Sequence, residues 1–91
     1  MSDDLDARFK QASEEVTQLS EAPDNLAKLK LYALFKQASA GDCTGSRPGM
    51  LDFVARAKYD KWKELEGTPQ EEAKQQYIDC VEELKAADKA K

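Results

Sequence analysis

Apolar residues along this chain recur with a helical step and show none of the strict alternation of a half-buried strand. Leu5, Phe9, Ala12, Val16 and Leu19 advance by four, three, four and three residues, which makes one stripe of an amphipathic helix from Ser2 to about Leu19. Lys10, Glu14 and Glu15 fall on its wet side. Ser20-Glu21-Ala22-Pro23-Asp24 breaks the pattern, because Pro23 disfavours helix in the residue before it and Asp24 or Asn25 can cap a new one. A second helix is predicted from about Asn25 to Ser39, apolar on more than one face through Leu26, Leu29, Leu31, Tyr32, Leu34 and Phe35, and so in contact with several neighbours.

Gly41 and Asp42 end that helix, and the stretch to Gly49 holds three glycines and a proline, too many for regular structure. A third helix is predicted from about Leu51 to Leu65, closed by Gly67. Thr68, Pro69 and Glu71 form the pattern of a capping box, with Pro69 at the first helical position of a fourth helix. Its stripe is Ala73, Tyr77, Cys80 or Val81, and Leu84, and the polar tail from Lys85 to Lys91 is expected to fray. The reading is an all-α, four-helix bundle in a single domain over residues 1–91.

Two lysines disturb the pattern. Leu51, Ala55, Lys58, Trp62 and Leu65 follow the step of a buried seam, and Lys58 is the one misfit. Leu29, Tyr32 and Lys36 repeat the oddity on the second helix. A lysine buried without a counter-charge costs several kcal/mol or loses its proton. Either both snorkel, laying their stems on the core edge with the ammonium in water, or they face a cleft that presents two cations to an anion. Tyr32 and Tyr77 would add flat surfaces there, a set suited to a phosphate with a stacked base.

Composition narrows the remaining possibilities. The chain has 91 residues, 14 basic against 18 acidic, and a net charge of -4, which argues against a general nucleic-acid binder. Histidine is absent, so Ser-His and Cys-His catalysis and His-containing zinc sites are excluded. No metal site is expected. Asp3, Asp4 and Asp6 suit a helix start, and Glu71-Glu72 and Glu82-Glu83 read as solvated helix charges. The three loop glycines are spaced too loosely for a phosphate-binding fingerprint and follow no strand. Two cysteines are sparse for a disulfide scaffold and read as reduced thiols, Cys80 in the core and Cys43 exposed in the loop. The acidic start lacks the pattern of a signal peptide and no apolar run is long enough for a membrane span, so a soluble, cytoplasmic protein without stable membrane insertion is expected.

The same residues carry a resemblance. Leu31-Tyr32-Ala33-Leu34-Phe35-Lys36-Gln37-Ala38 followed by Gly41-Asp42 is similar to the second-helix motif of the acyl-CoA-binding proteins. Arg47-Pro48-Gly49-Met50-Leu51-Asp52-Phe53, then Ala57-Lys58-Tyr59-Asp60 and Trp62, resembles that family's loop and third helix. Leu65, Gly67-Thr68, Tyr77-Ile78 and Val81-Glu82-Glu83-Leu84 fit its end, so the likeness runs from about Phe9 to Leu84.

The resemblance implies an up-down-down-up bundle with one bowl-shaped site for acyl-CoA. By it, Tyr32 and Tyr77 contact the CoA head, Lys36 and Lys58 meet its 3′-phosphate, and Phe9, Ala12, Ser13 and Leu29 border the acyl chain. Phe35 stands where tyrosine is frequent, Val54 and Thr17 where lysine is frequent, and Lys28 where an apolar residue is. The function implied is a non-catalytic intracellular carrier that binds medium- to long-chain acyl-CoA esters one to one, as a monomer without cofactor, and delivers them to acyl-CoA-using enzymes. A helical module docking a peptide helix in an apolar groove is the alternative. An acyl-CoA-processing enzyme is the third reading, and the chain offers it no histidine base.

Overall fold

The computed structural model describes residues 2–89, in four α-helices and, among those residues, no strand. Helix α1 spans Ser2–Glu15 and tightens into a 3-10 turn at Val16–Gln18, so the first stripe is continuous while its last turn is not α-helical. Helix α2 covers Asn25–Ala40, α3 Phe53–Lys63 and α4 Gln70–Lys89. Asp24 caps α2 by accepting from the Ala27 N–H at 2.8 Å, and Asp52 caps α3 through the Ala55 N–H at 3.3 Å. Asp52 explains why α3 starts two residues later than its apolar step suggests. Leu51 lies outside the helix and is 90% exposed, so it belongs to no buried seam.

Long-range contacts fix the direction of every helix. Asp6 pairs with Lys74 at 2.5 Å, Glu15 with Lys85 at 3.0 Å, and Ser20, just past the 3-10 turn, with Asp88, three rungs rising together along the first segment and α4. Helices α1 and α4 are therefore parallel. The Gln37 amide near the end of α2 donates to the Thr68 carbonyl just before α4, at 2.7 Å, so α2 and α4 are antiparallel. Lys58 lies on the ring of Tyr32 and Lys36 on the ring of Trp62, which runs α2 and α3 in the same direction. The order is up-down-down-up. Packing follows the sequence α1 on α4, α4 on α2, α2 on α3, and the molecule is a slab 16 Å in its shortest dimension.

The core gathers Ala12 from α1, Leu31 and Leu34 from α2, and Tyr77, Ile78, Cys80 and Val81 from α4. Both alternatives for the third position of the α4 stripe, Cys80 and Val81, are thus buried. Leu5, Phe9, Val16, Leu65 and Leu84 pack against this cluster. Helix α3 contributes no buried residue, because it packs on α2 alone at the edge of the slab. Two further expectations are corrected. The α4 tail continues to Lys89, held at Lys85 by Glu15 and Glu82, so Glu15 does not simply face water; Ala90 and Lys91 lie outside the described residues. Cys43 is buried at 6% exposure because its loop folds inward against α3, with the Trp62 indole donating to Gly41 O at 2.9 Å and the Tyr59 hydroxyl to Gly45 O at 3.2 Å.

Asp42 joins the two turns of the bundle by accepting from the Gly67 N–H and the Gln37 amide, both at 2.9 Å. These bonds, the Gly67 one foremost, hold its carboxyl below the usual aspartate range. A depressed folded-state value stabilises the fold above the unfolded pKa of about 3.9 and ceases to do so as the pH falls through the lower folded value. Acid unfolding of wild type and Asp42→Asn should therefore show a stability gap that is fully open above about pH 4 and closes below it. A gap independent of pH would deny the carboxylate this role.

Candidate functional site

Helices α2 and α3 carry complementary pairs. On α2 the order is Tyr32 then Lys36; on α3 it is Lys58 then Trp62. Both steps are of four residues, about 6 Å along a helix, so parallel packing sets each lysine on the other helix's aromatic ring. The Lys58 ammonium stands 5.1 Å from the Tyr32 ring centroid and the Lys36 ammonium 5.4 Å from that of Trp62. Such contacts contribute roughly 0.5–1 kcal/mol each where water still reaches them. Neither lysine has an ion-pair partner among the described residues.

That geometry falls between the two readings of the lysines. Neither is sealed in a core: Lys36 is half-buried and Lys58 exposed, and their row faces the α2–α3 seam at the rim of the slab. Nor do they simply trail into solvent. Each is held by a ring across the seam without a carboxylate partner among the described residues, which is how a site keeps cations ready for an anion. Trp62 is the partner that sequence reasoning missed, because a shared step reveals a helix face and not what lies opposite it.

Beside the seam opens a cavity of about 380 Å³, lined by Asn25, Lys28, Leu29, Phe53, Val54, Ala57 and Lys58. This falls within the ~300–1,000 Å³ range of small-molecule sites. Two cations, Lys28 and Lys58, border an otherwise largely apolar hollow, and Lys58 belongs to both features. The remaining predicted residues gather elsewhere. Phe9, Phe35 and Tyr77 form an aromatic cluster with centroids 5.1–6.1 Å apart. Phe35 is 41% exposed at its surface, whereas Tyr77 is only 4% exposed, edge-on to Phe9. Burial raises the Tyr77 phenol above its ordinary value. The structure therefore seats Tyr77 beneath the two phenylalanines, with its ring face not open to a base.

Of the four residues assigned to the acyl chain, only Leu29 lines the cavity. Ala12 is in the core at 2% exposure, and Ser13 is half-buried with its hydroxyl donating to the Lys10 carbonyl at 2.7 Å. Asn25 at the start of α2 and Phe53, Val54 and Ala57 on the first turns of α3 complete the lining, which helical spacing does not reveal because it leaves open that these two helix starts meet. Cys80 is buried and desolvation pushes its thiol upward, which fits packing rather than nucleophilic chemistry. No group of three or more metal-ligating side chains occurs among the described residues.

A family model described as "Acyl CoA binding protein" matches residues 6–81. The acyl-CoA-binding protein homolog of Drosophila melanogaster is 44% identical over 79 residues, covering 87% of this chain and 92% of that protein. Enoyl-CoA delta isomerase 2 of Rattus norvegicus is 45% identical over 82 residues, which are 90% of this chain and 21% of the isomerase. The chain thus spans about a fifth of that relative's length. Among solved structures, Acyl-CoA-Binding Protein 2 of Oryza sativa superposes with a TM-score of 0.90 at 38% identity, covering 94% of this chain and 96% of that one. With the family match over most of its length, and a near-complete superposition on a solved member, the chain belongs to the acyl-CoA-binding protein family.

Proposed function

We propose that this chain is a non-catalytic carrier with one site for a medium- or long-chain acyl-CoA ester, acting as a cytoplasmic monomer that buffers the ester and passes it to acyl-CoA-using enzymes. The observation that carries the proposal is Lys58, a cation without a carboxylate partner among the described residues that rests on Tyr32 and also borders the apolar cavity. With Lys36 beside it, a phosphate-bearing head and an apolar tail can be engaged at one place. Family membership supports the acyl-CoA reading, and the two free cysteines suit a reducing compartment. The isomerase among the relatives is several times longer than the match, so its name lends support for a CoA ester and none for chemistry by this chain.

The division of work is physical. Burying a palmitoyl chain contributes on the order of 10 kcal/mol as an upper limit, before ordering costs. That gain cannot separate the CoA ester from the free acid. Charge-assisted bonds to phosphate can. Calorimetry should accordingly rank palmitoyl-CoA first, its analogue lacking the 3′-phosphate clearly weaker, and free palmitate hardly bound. Comparable affinity for palmitate would make the cavity a generic lipid pocket and remove the carrier assignment.

A further inference from the structure

The segment between α2 and α3 ends in a tight turn, closed by the Asp52 N–H donating to Gly49 O at 3.0 Å. Its two central residues are Met50 and Leu51, 77% and 90% exposed. Turn centres normally hold glycine, asparagine, aspartate, proline or serine, for reasons of backbone freedom and hydration. Here two large apolar side chains stand at the tip. Phe53 and Val54 continue the apolar surface at 74% and 67% exposure, on the first turn of α3. Single exposed apolar residues mean little, but four within five positions on one protrusion form a patch that calls for an occupant.

The acyl cavity does not account for it. Phe53 and Val54 line that cavity, so a ligand can cover them, while Met50 and Leu51 line none of it. Two cations flank the patch: Lys28 and Lys58 share the cavity wall with Phe53 and Val54, and neither is ion-paired among the described residues. The acidic residue inside the patch, Asp52, is engaged in capping α3. A projecting apolar tip beside free lysines complements a surface that is apolar at shallow depth and anionic at its face. No helix among the described residues is long and apolar enough to cross a membrane, so contact would be peripheral.

We propose that the Met50–Val54 protrusion docks this protein on anionic lipid bilayers, Met50 and Leu51 entering the interface while Lys28 and Lys58 meet lipid phosphates or carboxylates. The turn adjoins the cavity mouth, so a docked molecule would present its cavity to the bilayer surface, where an acyl chain could enter without crossing water. Entry of an acyl chain rests on the proposed carrier function, whereas docking itself needs no bound ester and is tested without one.

The test is flotation of the full chain, without acyl-CoA, on vesicles of phosphatidylcholine alone and of phosphatidylcholine with phosphatidylserine. Partitioning onto the anionic vesicles should be roughly tenfold stronger and should fall with added salt. The double variant Met50→Ser, Leu51→Ser should lose at least about fivefold of that partitioning. Its melting temperature and its affinity for octanoyl-CoA should stay unchanged, since neither residue packs in the core or lines the cavity. Equal partitioning of wild type and the double variant would overturn the proposal, as would no partitioning at all. So would a wild-type dimer in sedimentation that the double variant dissolves, with no vesicle binding, because the patch would then belong to a second copy of the chain.

Discussion

Replacing Lys36 by alanine should weaken palmitoyl-CoA binding by about 2–4 kcal/mol, or roughly 30- to 1,000-fold in Kd. In the proposed site, truncation would leave the ligand's phosphate without one of its two cations, in a seam where Lys36 is half-buried and water screens the charge incompletely. Lys58→Ala should fall near the lower end of that range, because that residue is more exposed and its charge better screened. The double variant should lose less than the sum of the two, since both lysines would serve one phosphate. Folding is a poor explanation for any such loss: each lysine gives up only a cation–π contact of roughly 0.5–1 kcal/mol. Isothermal titration of the three variants, with thermal melts alongside, separates the effects. Wild-type affinity in both single variants would show that the lysines hold no phosphate.

The largest expected effect on stability is at Leu34. It is 1% exposed at the centre of α2, between α4 on one side and α3 on the other. Leu34→Ala removes buried methylenes and leaves a hole that the surrounding helices fill only in part, at a cost of about 2–5 kcal/mol. For a domain of this size that corresponds to a drop in Tm on the order of 10–30 °C. A small bundle has a total stability of about 5–15 kcal/mol, so the variant keeps a much reduced margin. The contrasting substitution is Leu51→Ala, the same change at a residue 90% exposed, which should stay within about 0.5 kcal/mol of wild type. Denaturant titration of the pair measures the difference directly. A loss below about 1 kcal/mol at Leu34 would mean that the core is not organised around α2.

These two leucines also show what the sequence revealed and what it concealed. Helical periodicity placed Leu34 inside correctly, because α2 is apolar around most of its circumference and only a helix with several neighbours can be so. The same reasoning carried the third helix back to Leu51. There, a local competitor wins: the Asp52 side chain binds the Ala55 N–H and starts the helix at Phe53. The loop that buries Cys43 had no signal of its own, since Trp62 and Tyr59, which hold it, come from a later helix.

At the site, the rows containing Lys36 and Lys58 were visible as breaks in periodicity. Their partners were not, because a cross-helix contact depends on the relative height of two helices that local spacing leaves free. Ala12 illustrates the converse. Its stripe was read correctly, yet the stripe leads into the core formed with Leu31, Leu34 and Val81 rather than to the cavity.

One consequence of the Lys36–Trp62 contact is experimental. The chain contains a single tryptophan, fixed by its indole hydrogen bond to Gly41, with an ammonium poised 5.4 Å from the ring centroid. Fluorescence from this protein in the tryptophan band therefore comes from one place. A lysine drawn off that ring by an arriving anion would alter the field felt by the indole, so the native chromophore offers a label-free optical test of the proposed clamp.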